Sequence, residues 1–300
     1  MKNYLRIKGI FLVILGTLLW GISGTVAQYL FQDENFAPEW LVVIRLLFSG
    51  VIILMTGVVK GDKNIVRILR RKEAVIKLLV FSIFGVLGVQ YSYFAAIKHG
   101  DAATATILQY LCPIIVIGYL SLRNKKIPTL QQMLCICMAL LGTFLILTKG
   151  NIHSLSISKI AVFWGICSAF TCAIYTLQPV ALLKKYGSIT VVGWGMLIGG
   201  IAFSFIYPPF YCTGNWSLQS ILAILFVVIF GTSIAFSCYL ESLKYIEPYE
   251  ASIMSCIEPL SAAILSIVFL NVKFSPVQWF GTLCIIITIS ILSLLKNDNT

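Results

Sequence analysis

Residues 84–113 read FGVLGVQYSYFAAIKHGDAATATILQYLCP, and residues 230–259 read FGTSIAFSCYLESLKYIEPYEASIMSCIEP. At a constant offset of 146 and with no gap, Phe84 pairs with Phe230, Gly85 with Gly231, Tyr93 with Tyr239 and Lys98 with Lys244. The match runs on through Asp101 and Glu247, Ala105 and Ala251, Thr106 and Ser252, and Pro113 and Pro259, and Pro128 meets Pro276 at an offset of 148. Apolar helices resemble one another by chance. Shared Lys, acid, Tyr and Pro at fixed spacing do not follow from hydropathy, so the chain reads as an internal duplication.

Working outward, the repeat lies in a chain of 300 residues that is 59% hydrophobic and 11% charged, with a mean hydropathy of +0.95. Soluble domains are about half apolar and a quarter charged, so lipid must be the solvent for most of this chain. A span needs roughly 20 apolar residues. Spans are expected at 9–31, 39–59, 74–97, 102–122, 129–148, 160–183, 188–207, 218–241, 250–270 and 276–295. Pro38, Pro128, Pro248 and Pro276 sit where spans begin, a position helices tolerate because the missing N–H has no partner there. Alternation over ten residues, which a barrel requires, is not seen. Lys2, Arg6 and Lys8 before an apolar run, with Thr25-Val26-Ala27, have the outline of a signal peptide. The run continues to Phe31 and has a later counterpart, so a retained first span is expected.

Five spans per half force the second half to enter from the opposite side of the membrane. The expected fold is all-α and integral to the membrane, with ten transmembrane helices as two inverted five-helix repeats, 1–150 and 151–300, in one membrane domain. With the N-terminus placed in the cytoplasm, sixteen Lys and Arg fall in inside segments and four in outside ones. The positive-inside rule then puts both termini in the cytoplasm. The net charge of +11 follows this topology, and no nucleic-acid partner is expected. Inverted halves give inward-open and outward-open forms of similar energy around a site near the midplane, as in many secondary transporters.

Other features resemble the drug/metabolite transporter superfamily and, within it, the EamA family. They are Leu19-Trp20-Gly21, Ile44-Arg45-Leu46, Tyr93 to Pro113 with the Arg123–Pro128 loop, and Ile257-Glu258-Pro259-Leu260. The resemblance covers essentially the whole chain. Asn271-Val272-Lys273-Phe274 departs from it by lacking the Gly-Glu often seen before the last span. The resemblance implies a ten-helix exporter of amino acids or related metabolites in the cytoplasmic membrane, with a central cavity lined by both halves.

A mid-span carboxylate is costly and usually faces the bundle interior with a partner. Glu258 either binds a substrate amine or a proton, which would couple transport to protons, or it is a structural acid. Pro259 frees a carbonyl beside it. Arg45 either neutralises a substrate carboxylate or snorkels to the interface as a structural pair. Thr106, Gln109 and Tyr110 lie one turn before Pro113, as Ser252, Ser255 and Cys256 lie before Pro259, so polar stripes flank both helix breaks. Trp20, Tyr93, Tyr175 and Tyr239, with Gln90 and Gln178, are the expected walls of an amphipathic pocket. Pro113 and Pro259 are the expected gating breaks.

Gly195 and Gly199 form a GxxxG, explained by close packing within the chain or in a homodimer. Eight of the nine cysteines lie in spans and read as packing residues. His99 and His153 have no second carboxylate near them, and there is no phosphate-binding loop or metal-ligand spacing. No enzyme activity, cofactor or metal is expected. The partners are the bilayer and a small-molecule substrate. A polytopic membrane enzyme or lipid-handling protein, or a passive pore, are the alternatives to a carrier.

Overall fold

The computed structural model describes residues 2–99, 102–151, 153, 158–259, 261 and 275–294. Every regular element among them is helical, as lipid demands of a segment that must satisfy its own backbone. We number them α1 (Lys2–Gln32), α2 (Pro38–Val59), α3 (Lys72–Ile97), α4 (Ala105–Asn124), α5 (Leu130–Thr148), α6 (Lys159–Tyr186), α7 (Ser188–Ser204), α8 (Leu218–Ser242), α9 (Pro248–Met254) and α10 (Pro276–Leu294). Six are long and apolar enough to cross a membrane: α1 (over Tyr4–Phe31), α2, α3, α4, α6 and α8. Leu130–Leu145, Ser188–Ser204 and Pro276–Thr288 are shorter apolar helices. The expected ninth span begins in α9, and its continuation through 260 and 262–270 lies outside the described residues, as do Asp101 and the Asn271–Phe274 stretch.

Helix starts follow local chemistry. Pro38 and Pro248 stand in the first turns of α2 and α9. Pro128 instead precedes a reciprocal cap, in which Thr129 and Gln132 satisfy each other's backbone at the start of α5. Ser217 and Ser220 do the same for α8.

The spans are interrupted, at the expected prolines and elsewhere, and the interruptions are duplicated. A π-helical segment occupies Phe81–Leu87 in α3, and another occupies Ile229–Ile234 in α8. Turns at Tyr110–Leu111 and Ser255–Cys256 precede Pro113 and Pro259. Around them the backbone tightens to bonds three residues apart, Leu111 N–H to Leu108 O at 3.1 Å and Cys256 N–H to Ile253 O at 3.1 Å. Each proline lacks an N–H and its ring crowds the carbonyl four residues back, so the helix yields there.

Packing is symmetric under exchange of the halves. α1 lies against α8 as α6 lies against α3, while α2 packs on α7 and α5 on α10. Gly195 and Gly199 are used inside the chain. A Cβ on Gly195 would lie 2.6 Å from the Phe81 ring, and one on Gly199 3.1 Å from the Ser82 carbonyl oxygen.

Polar contacts close each end of the bundle. At one end Arg6 Nη2 meets Glu250 Oε1 at 2.6 Å, Thr190 Oγ1 donates to Asp62 at 3.1 Å, and Trp194 Nε1 donates to the Ile65 carbonyl at 3.0 Å. At the other, Trp40 Nε1 donates to the Pro209 carbonyl at 2.8 Å, Ser217 Oγ to Glu34 at 3.1 Å, and Ser158 Oγ to the His99 carbonyl at 2.7 Å.

Gly21 brings α1 onto the Glu258 backbone, where a Cβ would lie 2.6 Å from its carbonyl oxygen; Gly118 has open space around it. Overpacking costs about 1–3 kcal/mol. Gly21→Ala is expected to lower the thermal unfolding midpoint in detergent, whereas Gly118→Ala leaves it unchanged or slightly raised.

Candidate functional site

The broken helices bring their polar groups to one place. Pro259 has no N–H to offer the Ser255 carbonyl, and that oxygen accepts from the Glu258 N–H at 2.9 Å and from the Tyr110 hydroxyl at 2.8 Å. The same hydroxyl lies 3.2 Å from Glu258 Oε2. One phenol of the first repeat thus answers both the opened backbone and the carboxylate of the second.

Around this junction a cavity of about 110 Å³ opens between helices of both halves. Trp20, Ser23 and Ala27 face it from α1, Arg45 from α2, and Val89, Gln90, Tyr93 and Phe94 from α3. Gln109, Tyr110 and Cys112 line it from α4, Cys172 and Tyr175 from α6, and Phe236 and Tyr239 from α8. Ser255 and Glu258 follow α9. The mostly apolar wall with few polar groups is that of small-molecule sites.

Arg45 does not snorkel. It is 6% exposed, donates Nε to Thr232 Oγ1 at 2.8 Å, and sets its guanidinium 5.5 Å from the Phe94 ring centroid. The π-helical segment of α8 makes this contact available. Thr232 Oγ1 donates to the Val227 carbonyl five residues back, at 2.7 Å, and leaves its lone pairs for Arg45. Ser49 Oγ and Ser233 Oγ both donate to the Val228 carbonyl at 3.0 Å. Arg45 and Glu258 both face the cavity, yet among the described residues no ion pair joins them.

The aromatic side is a stack. Tyr175 and Tyr239 are parallel with centroids 5.6 Å apart. Trp20 sits 5.1 Å from Tyr239 and 4.9 Å, edge-on, from Phe236. The other polar groups are held: Tyr93 and Thr106 hydroxyls at 2.9 Å, Gln109 Nε2 to Ser168 Oγ at 2.9 Å, and Thr176 to Tyr239 hydroxyls at 3.0 Å.

Ten of the residues singled out from sequence therefore lie on the cavity wall: Trp20, Arg45, Gln90, Tyr93, Gln109, Tyr110, Tyr175, Tyr239, Ser255 and Glu258. Thr106 stands behind Tyr93 and positions it. Gln178 is not on the wall. At the turn within α6 where Pro179 interrupts the helix, it donates Nε2 to the Lys77 carbonyl at 2.6 Å. Pro113 and Pro259 shape the breaks from behind. Phe94, Phe236, Ser23 and Cys172 went unnoticed in the sequence. Phe236 was within reach, since it lies three residues before Tyr239 on one helix face.

The family model of the EamA-like transporter family matches the chain twice, at residues 7–148 and 159–294. The uncharacterised inner membrane transporter YicL of Salmonella typhimurium is 41% identical over 291 residues, covering 96% of this chain and 95% of that protein. The uncharacterised transporter YwfM of Bacillus subtilis is 21% identical over 282 residues, covering 94% and 92%. A protein of known crystal structure superposes with a TM-score of 0.80 at 17% identity, over 95% of this chain and 96% of its own. That likeness concerns the fold.

Tyr110→Phe removes the donor to Ser255 and Glu258. The Ser255 carbonyl keeps the Glu258 N–H, and one hydrogen bond is worth about 0.5–1.5 kcal/mol net, so a loss of that size is expected in denaturant unfolding of the detergent-solubilised protein.

Proposed function

Because the chain belongs to the EamA-like transporter family of the drug/metabolite transporter superfamily, we propose that it is a secondary carrier exporting small polar or amphipathic metabolites, amino acids foremost. The carrying observation is the cavity that holds Arg45 of the first repeat and Glu258 of the second without pairing them. Buried charges are costly unless partnered. A zwitterion supplies both partners, its carboxylate for Arg45 and its amine for Glu258. Tyr93, Tyr110, Gln109 and Ser255 frame the polar head, and Trp20, Tyr175 and Tyr239 take the apolar part. Protonation of Glu258 on substrate release would couple the cycle to protons.

Ten crossings in two inverted five-helix repeats, divided near residue 150, make the machine. The end contacts support this topology. α1 starts beside the end of α8 (Lys8 Nζ to Tyr245 hydroxyl, 3.2 Å), while α6 starts at the other end, beside the end of α3 (Ser158 Oγ to the His99 carbonyl). Equivalent helices thus begin at opposite ends. α9 starts at the Arg6 end, and α10 starts near Gly150 at the other. The pairs at the two ends act as alternating gates, and Pro113 and Pro259 let the helices flex. The cytoplasmic membrane is the setting, with both termini inside, in keeping with the sixteen-to-four distribution of Lys and Arg. The sequence carries no phosphate-binding loop, which favours a gradient over ATP as the driving force.

Counterflow in liposomes tests the proposal: a carrier exchanges labelled for unlabelled amino acid with saturation, and flux that never saturates would indicate a pore. Arg45→Gln and Glu258→Gln are expected to reduce exchange at least tenfold, and Glu258→Gln to flatten its pH dependence. Unchanged exchange and pH profile in Glu258→Gln would remove that acid from the mechanism. For topology, Lys149→Cys should react with an impermeant thiol reagent on intact cells, above the wild-type background, and Lys126→Cys should not.

A further inference from the structure

The cavity wall has one amide without a partner among the described residues. Gln90 is 5% exposed and faces the cavity, and neither its Nε2 nor its Oε1 has a hydrogen-bond partner among the described residues. Its polar neighbours on the wall differ. Tyr93, Gln109, Tyr110, Tyr239 and Arg45 each have a protein partner between 2.8 and 3.0 Å. Those bonds fix their positions. Gln90 has its donor and its acceptor both unassigned, and buried polar groups are very largely paired in native proteins.

We propose that Gln90 is the specificity-determining residue of the cavity and that the ligand it selects presents a planar amide edge, one hydrogen-bond donor beside one acceptor. A carboxamide side chain has such an edge, and so does a cyclic amide. This rests on the reading of the cavity as the substrate site. A primary amide offers an N–H and a carbonyl oxygen side by side, and a second amide edge satisfies both at once. A carboxylate edge supplies only acceptors, and an aliphatic end supplies neither.

The placement fits. Gln90 stands one helical turn, about 5.4 Å of rise, from Tyr93 and Phe94. Phe94 carries the Arg45 guanidinium, and Tyr93 borders the side occupied by Glu258 and Tyr110. An amino-acid head between Arg45 and Glu258 would therefore extend a side chain of a few bonds to reach Gln90. Two more wall residues carry a donor without a partner among the described residues, Trp20 Nε1–H and the Tyr175 hydroxyl. They supply bonds to further acceptors on the ligand, and the Tyr175–Tyr239 stack gives a planar group a flat wall.

The test uses the full-length protein in detergent, with thermal stabilisation as the readout, since a ligand that binds the folded state raises its melting point. One arm compares L-glutamine with L-glutamate and L-norleucine, which share a head and differ at the side-chain end. The other compares uracil with 1,3-dimethyluracil, which lacks the donors. The amide-bearing member of at least one arm should bind about tenfold more tightly than its analogues, the value of roughly one well-made hydrogen bond. Gln90→Met should erase that preference. It should also leave the ligand-free protein melting no lower than wild type, because it replaces an unpartnered buried amide with an apolar chain of similar size.

No preference for the amide member in either arm overturns the assignment, as does a preference that survives Gln90→Met. A Gln90→Met protein that is destabilised or fails to fold also overturns it, by showing that the amide is structurally paired. Counterflow of the same amino acids separates the two readings: exchange without amide preference leaves the carrier standing and removes only the role of Gln90.

Discussion

The hydrogen bond from the Tyr110 hydroxyl to the Ser255 carbonyl is the contact on which the centre of this protein depends. A carbonyl released by proline in hydrocarbon has no water to turn to, and leaving it bare costs several kcal/mol. Pro259 deprives the Ser255 carbonyl of its usual donor, and two others replace it, the Glu258 N–H and, from the other half of the duplication, the Tyr110 hydroxyl. Because the same hydroxyl reaches Glu258, the helix break, the carboxylate and the interface between the halves are a single arrangement. Gly21 completes it by letting α1 lie directly on the Glu258 backbone.

The second constraint is electrostatic. Arg45 and Glu258 face one cavity without a direct ion pair among the described residues, although such a pair would be the simplest way to hold them in a low-dielectric interior. Each is held by a neutral hydroxyl instead, Thr232 for Arg45 and Tyr110 for Glu258. The Thr232 contact exists because a π-helical segment shifts the register of α8. Such segments are rare and occur often at functional sites. Its counterpart in α3 precedes Gln90 by three residues, so both irregular segments end just before cavity-lining side chains.

Symmetry relates these local features to movement. The exchange of halves carries α1 on α8 into α6 on α3, and it maps the α2–α7 and α5–α10 contacts onto themselves. Small residues allow the close approach: Gly50 and Gly200 bring α2 and α7 within a Cβ's reach of each other's backbone. The large apolar surface between the halves is therefore built from equivalent pieces. Polar pairs, which break at lower cost than packed cores, are found at its two ends.

Hydropathy, the 146-residue offset and the prolines were enough to determine the membrane class, the duplication, the helix starts and most of the cavity wall, because each depends on properties a residue has wherever it sits. Glu258 next to Pro259 is conspicuous in any apolar run. The repeat mates Tyr93 and Tyr239 pointed to matching walls, and both lie there. What Arg45 does could not be read this way. Its position near a span end fits snorkelling, and only the packing of α2 against the π-helical segment of α8 buries it. Gln178 shows the reverse: its spacing from Tyr175 suggested the wall, but the turn at Pro179 takes it to a backbone carbonyl outside the cavity. The π-helical segments themselves have no sequence signal, since inserting a residue into a helical turn is stabilised by contacts from other helices. One-dimensional pattern identified which residues are unusual. The tertiary structure decided which are already paired and which, like Gln90, are left facing the cavity, because a hydrogen-bond partner 80 or 180 residues away is a fact of three dimensions alone.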